Sequence, residues 1–399
     1  MTDTENPGAE VQQEVTIKEE YELWRKNCRY MYEFVSETAL TWPSLTIQWL
    51  PNYEEIDGII NSNLLLGTHT SGEDRNYLKV ATTQIPNSKL KQKANTRLKT
   101  IKKFENDYEI NRARYMPQDP SIVATINGNG DINIYNIDQE SDTNNRAINT
   151  FSPHLENGYG LSWSLFNKGN LLTSSDDKSI CITDTINNKP IFKNLTSHND
   201  IVNEAKWHNF NENLFATVSD DKYTFVFDIR TQNEPILRYH NLDGINSLSF
   251  SPFSHNLVAI GSTTSNINLL DMRRLSSNKN QSQGLLHSMM GHSDSITCLE
   301  FSPHNDGILA SGCQDRRLII WDLFKIGEEQ QQEDAEDGCP EIYMMHAGHT
   351  GAVMDLSWCP YKAWTVASVA DDNLVHIWEI SKSIVNEDDE ETPEDDYLE

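Results

Sequence analysis

The sequence predicts an all-β fold, a seven-bladed β-propeller with an α-helix packed on its side. Two observations predict the propeller. A motif of fixed internal length recurs from about residue 109 to residue 380, and each copy holds short apolar runs separated by turn residues. The helix follows from a third: residues 16 to 36 contain neither Pro nor Gly and carry apolar side chains at helical spacing.

The motif is a His, alone or after Gly, followed by an apolar-acidic dipeptide that closes a strand-like run. Gly291-His292 leads to Trp321-Asp322 and Gly348-His349 to Trp378-Glu379. His198 leads to Phe227-Asp228 and His154 to Thr183-Asp184, all with a separation of 29 residues. His240 to Leu270-Asp271 is one residue longer, and a degenerate copy that starts near Glu109 closes at Ile134-Tyr135-Asn136. Within the clearest copy, 296–301, 308–311 and 318–321 read as three strands, with a fourth expected before the next His. Trp42 to Trp49, Asn63 to Gly67 and Leu78 to Thr82 supply strands for a seventh sheet. A sheet this small cannot bury both faces alone, so the copies must stack radially, as WD repeats do.

Six residues before the closing position stand Asp177, Asp221, Asp315 and Asp372; ten before it stand Thr173, Thr217, Ser311 and Ser368. With the His and the aromatic they form an Asp, His, Ser/Thr, Trp set. Ser-His-Asp catalysis uses the same residue types, but a set repeated around the ring reads as fastening, because buried polar groups need partners. The copy ending at Leu270-Asp271 has Ile260 and Thr264 at those positions, and its blade should be the least rigidly pinned.

The helix is expected over 16–36, opened by a capping box at Thr16-Ile17-Lys18-Glu19, with Tyr21, Trp24, Cys28, Met31 and Val35 on one face and Leu23, Tyr30 and Phe34 beside them. The propeller should span 37–384, with disordered ends at 1–15 and 385–399. An insertion at 326–341 carries seven carboxylates and no basic residue. Such a run is either a solvated loop or a binding device. The basic stretch from Lys89 to Lys103 lacks the aromatic interleaving of a base-stacking surface and reads as a solvated loop.

Sixty acidic against 32 basic residues give a formal net charge of −28, a field that attracts basic partners and opposes direct nucleic-acid or membrane binding. The six scattered cysteines form no C-x-x-C pair, so reduced thiols, no metal and no cofactor are expected. No apolar leader or span is evident, which fits the nucleus and cytoplasm. No phosphate-binding loop or nucleophile elbow appears, so a binding protein is expected and not an enzyme.

Several runs resemble one family, the histone-binding WD-repeat proteins of the retinoblastoma-binding type. They are Glu19-Glu20-Tyr21, Trp42-Pro43-Ser44-Leu45-Thr46, 66–70 (Leu-Gly-Thr-His-Thr), 111–117, 158–163, Asp315-Arg316-Arg317, 325–330 and 333–338. The resemblance spans nearly the whole chain. It implies a non-catalytic subunit that binds histones H3 and H4 and presents them to an acetyltransferase catalytic subunit, with other histone chaperones as further partners. It places Tyr30, Met31 and Phe34 on one wall of a groove for the first helix of histone H4, with Met344 and Met345 on the other. Asp334 and Asp337 match the positions that pair with histone arginines. The H3 tail is expected on the central face, on Glu109, Asn111, Tyr159, Asn203, Glu204 and Asp371. Asn157 and Asn203 stand where an acidic residue is usual, with Glu204 as the expected compensation. Cys339-Pro340 replaces the family's two prolines. A chromatin-assembly or deacetylase subunit, and a general WD-repeat scaffold without histone preference, are the alternatives.

Overall fold

In the computed structural model the described residues are 7–87, 94–139, 145–231, 234–277, 283–330 and 338–385, with side chains from Ile17 onward. Seven antiparallel four-stranded sheets form the blades of a propeller. Blades 1 to 6 cover 47–106, 110–151, 158–194, 202–240, 245–289 and 296–346, each with its strands in chain order. Blade 7 takes three strands from 353–380 and its outermost from the other end of the chain, strand β1 (Tyr32–Ala39), which pairs with Leu374–Ile380 from Tyr32↔Ile380 to Ala39↔Leu374. Main-chain hydrogen bonds between the chain's two ends thereby close the ring.

The helix, α1 (Pro7–Met31), starts nine residues earlier and ends five residues earlier than expected over 16–36. Thr16 therefore lies inside the helix and not at its start. Phe34 and Val35 belong to β1, because 32–39 reads equally well at period two and its pairing with blade 7 decides the outcome. The basic stretch is likewise not all loop: Lys99–Asn106 is the outer strand of blade 1, while 88–93 lie outside the described residues. Among the described residues no helix is long and apolar enough to cross a membrane.

Blades pack face to face, and the core is divided into seven apolar clusters that sit between neighbouring sheets. The polar sets tie a sheet to the segment that leads into it. His292 bonds Asp315 at 2.9 Å through Nδ1 and Ser311 at 2.7 Å through Nε2, and Ser311 also accepts the Trp321 indole N–H at 2.8 Å. His198 repeats this with Asp221 and Thr217, His349 with Asp372 and Ser368, and His154 with Thr173 and Ser179, whose hydroxyl donates on to Asp177. Two copies use asparagine in place of the His. Asn106, not Glu109, opens the copy that closes at Tyr135 and bonds Asn127 and Asn133. Asn241, not the exposed His240, opens the copy that closes at Leu270 and accepts from Asn268 at 2.9 Å. Both substitutions restore the spacing of 29.

Candidate functional site

The innermost strands of blades 2 to 7 share one irregularity: each slips register at its second residue, a β-bulge across Asn111, Tyr159, Asn203, Asn246, Thr297 and Met354. A bulge re-aims the extra side chain, and these six, with Leu45 of the blade 1 approach, line a cavity of about 260 Å³ at the mouth of the central channel. Four of them are oriented by the next blade. Asn111 donates through Nδ2 to Gly158 O at 2.9 Å, Asn203 to Ile245 O at 3.0 Å, and Asn246 to Ile296 O at 3.2 Å; Thr297 donates through its hydroxyl to Val353 O at 2.6 Å. A carbonyl can only accept, so these contacts fix which end of each amide is the NH₂ group, and the Asn246 oxygen in turn accepts from Asn203 Nδ2 at 3.3 Å.

Two carboxylates back this oxygen-rich ring. Asp176 lines the cavity and accepts from Asn157 Nδ2 at 3.2 Å, while its other oxygen is enclosed with no protein partner. Burial raises its pKa, as it does that of Tyr159, whose phenol also feels the Asp176 charge. Asp220 accepts from Asn203 at 2.7 Å. Glu204 does not serve here: it is 6% exposed, accepts the Leu248 N–H at 2.7 Å and faces Lys206 at 3.3 Å. The carboxylates beside Asn157 and Asn203 are instead Asp176 and Asp220, each in the turn that follows the neighbouring strand. Deeper in the ring, Asp355 of blade 7 holds Arg112 and Arg114 of blade 2 at 2.9 and 3.1 Å. Arg112 thus reaches the cavity already neutralised.

Helix α1 lies against blades 6 and 7. Glu20 meets Arg316 at 3.0 Å and Arg317 at 3.4 Å, and Tyr21 donates to Glu37 at 2.9 Å. Trp24, 5% exposed, is its apolar anchor. Leu23 and Tyr30, seven residues apart and each 61% exposed, point away from the propeller. Arg29 stacks on the Tyr30 ring at 4.5 Å. Where α1 ends, Met31 packs into the cluster between blades 6 and 7 beside Tyr343, Ile384 and Val385. Lys325, where the insertion begins, lies over the Tyr343 ring at 5.4 Å, and Tyr343 packs against the same cluster as Met31.

Under Trp24 lie three buried imidazoles, His346, His349 and His376, with nitrogens within 4.8 Å of one another. Five of their six nitrogens are spent on hydrogen bonds, to Tyr32, to each other, and to Asp372 and Ser368. The group is a hydrogen-bonded relay, not a set of ligands converging on a metal.

The structure thus brings together Asn111, Tyr159 and Asn203 at the mouth. Glu109 is half-buried and Asp371 exposed, and neither lines the cavity. Met31 and Met344 share a cluster, but Met344 is buried inside it. Met345, on the opposite face of the same strand, packs half-buried between blades 5 and 6. Phe34 packs between blades 7 and 1 under the Lys362 ammonium. Asp334 and Asp337 lie outside the described residues. Sequence reasoning misses Asn246, Thr297 and Asp176. The signal that finds the first two is the position after the first apolar residue of each inner strand, which recurs at the repeat period.

Comparison with known proteins agrees with this architecture. A family model described as histone-binding protein RBBP4 or a subunit of the CAF1 complex matches residues 19–87, which hold most of the described part of α1, β1 and the first strands of blade 1. WD domain, G-beta repeat matches 283–322 and 341–379. The chain is 65% identical over 391 residues to the histone acetyltransferase type B subunit 2 of Debaryomyces hansenii, covering 94% of this chain and 93% of that one. It is 61% identical over 382 residues to the protein of the same name from Candida albicans, covering 94% and 96%. The Candida glabrata protein of that name is 43% identical over 387 residues, covering 93% and 90%. Nearly full coverage at these identities means that this chain belongs to the histone-binding WD-repeat family of the histone acetyltransferase type B subunit 2 proteins.

Proposed function

We propose that this chain is a non-catalytic histone-binding subunit. In this reading it holds the first helix of histone H4 between α1 and the 326–341 insertion, lays the H3 tail across the channel mouth, and presents both to an acetyltransferase catalytic subunit in the nucleus and cytoplasm. The observation that carries the reading is the mouth. In a chain of net charge −28 the amides of Asn111 and Asn203 spend their donors on neighbouring blades and leave their oxygens, backed by Asp176 and Asp220, with Tyr159 at 36% exposure as an aromatic platform. A Lys ammonium or Arg guanidinium offers donors only, so it complements such a ring, and an aromatic face adds about 0.5–2 kcal/mol of cation–π attraction. On the side, Leu23 and Tyr30 supply the exposed apolar stripe that an amphipathic helix seeks.

Fluorescence anisotropy with labelled peptides tests both surfaces. Tyr159→Ala should weaken binding of an H3 tail peptide about tenfold and leave an H4 helix peptide unaffected, and Asp334→Lys with Asp337→Lys should do the reverse. Failure of the parent chain to bind either peptide at moderate salt would end the proposal. Because the matched family also takes in a protein of the CAF1 complex, the same surfaces could serve in such a complex. Copurification with an acetyltransferase subunit decides between them.

A further inference from the structure

One of the contacts between α1 and the propeller is a hydrogen-bonded chain whose direction can be read. The Trp24 indole N–H donates to Tyr32 Oη at 2.9 Å, Tyr32 Oη meets His346 Nδ1 at 2.7 Å, and His346 Nε2 meets His376 Nδ1 at 3.0 Å. His376 Nε2 is fully enclosed, has no hydrogen-bond partner, and lies 3.9 Å from Glu37 Oε1. An indole can only donate, so the Tyr32 oxygen accepts from it and the phenol has a single proton to place. If that proton goes to His346 Nδ1, then His346 carries its own on Nε2, donates to His376 Nδ1, and His376 points its N–H at the Glu37 carboxylate. The opposite direction leaves a buried phenol proton unpaired and turns an imidazole lone pair on a carboxylate. Both cost free energy. The chain therefore runs from Trp24 to Glu37, which also accepts from Tyr21 of α1.

We infer that this relay positions α1 and releases it in acid, because it is complete only while His346 and His376 are both neutral. A proton added to His376 Nδ1 faces the N–H of His346, and one added to His346 Nδ1 faces the phenol proton, so either turns an acceptor into a clashing donor. Of the groups that face the two imidazoles, the Glu37 carboxylate, 3.9 Å from His376 Nε2, favours a proton there, while His349 and burial oppose it. Around them stand His349, Tyr32, Glu37 and, across His349, Asp372; Arg25 and Cys28 lie beyond Tyr21 and Glu37. Asp372 is committed to His349 and to the Thr350 N–H. Burial, then the neighbouring His349, holds both imidazoles well below their ordinary pKa. An undocked α1 lets them return toward 6.5, so the open form binds more protons below that pH. The histone-helix surface on α1 would loosen with it, a consequence that rests on the function proposed above.

Hydrogen exchange on the full chain at pH 7.5, 6.5 and 5.5, with each rate divided by the intrinsic rate, tests this without any variant. Protection of residues 17–31 should fall about 10- to 100-fold between pH 7.5 and 5.5, one or two protons' worth, while the strands of blade 3 keep theirs. His346→Gln with His376→Gln, whose amides can accept at one end and donate at the other without titrating, should flatten the profile. Helix protection that does not change with pH in the parent chain overturns the inference, as does an unchanged slope in the folded double variant. Failure of the H4 helix peptide to bind at any pH would instead strike the proposed function and leave the exchange result standing.

Discussion

Replacing Asp355 by Asn should loosen the ring more than any other change of one atom. The Asp355 carboxylate, 2% exposed, accepts from Arg112 at 2.9 Å, from two nitrogens of Arg114 at 3.1 Å, from the Thr46 hydroxyl at 3.1 Å and from the Ile47 N–H at 2.9 Å. It ties blade 7 to blade 1 and blade 2. Burial pushes its pKa up, but Arg114 and Arg112 outweigh burial and hold it below the ordinary carboxylate value. This stability is therefore present above about pH 4 and lost as the pH falls toward the depressed value. Asn keeps the shape, turns an NH₂ on two guanidiniums and removes the only carboxylate hydrogen-bonded to them among the described residues, a situation that costs roughly 3–5 kcal/mol. With an unfolding entropy of about 2.1 cal/mol/K per residue over 399 residues, that is a fall in Tm of about 4–6 °C. Scanning calorimetry at pH 7.5 and one fixed scan rate measures it, since a chain of this size need not unfold reversibly. A fall below about 1 °C would show that water or the channel already neutralises the arginines and that the cross-ring tie is not structural. Adding Arg112→Leu and Arg114→Met should recover most of the loss, because removing the stranded charges removes its cause.

Two further outcomes follow from the same ring. Burial pushes the Glu300 carboxyl, close to Lys206 and Arg114, up to about 7, so between pH 4.5 and 7 the folded chain binds more protons than the unfolded one, and stability at this site falls as pH rises through that window. Glu300→Gln should therefore gain Tm relative to the parent by about 3 °C between pH 5 and pH 8; a difference that shrinks over this range refutes the sign. A Cβ at Gly348 would sit 2.5 Å from Trp24 and 2.9 Å from His376, both held rigidly. Gly348→Ala should cost about 1–3 kcal/mol, expose α1 to protease and weaken an H4 helix peptide while leaving an H3 tail peptide unaffected.

The propeller is legible because its fastening is short-range in sequence. A His and the Ser or Thr it bonds are 19 residues apart in every copy that has both, and such a spacing survives in a string of letters. Where Asn106 or Asn241 takes the place of the His, the spacing persists but the residue type does not, and the pattern falls on Glu109 and His240 nearby. The mouth is half legible: Asn111, Tyr159 and Asn203 come from the resemblance. Asn246 and Thr297 escape because a β-bulge changes register without leaving a mark in composition. The end of α1 is ambiguous because Phe34 and Val35 satisfy both periods, and the partner that selects the strand lies over 300 residues away.

That same distance explains why α1 can be both a binding surface and a structural member. Met31 is followed directly by Tyr32, the first residue of the strand that closes the ring, with no linker between them. Tyr32 is also the middle link of the Trp24 relay, and its partners His346 and His376 belong to blades 6 and 7. Displacing α1 therefore strains the closure strand, and fraying β1 frees α1. A ligand that holds the exposed face of α1 binds only the closed ring, and by mass action it must stabilise the closure it never touches. The repeated polar sets cannot provide such coupling, since each ties a blade only to the segment that leads into it and includes no residue of α1 or β1. Coupling between the binding surface and the fold has to run through the residues that break the repeat.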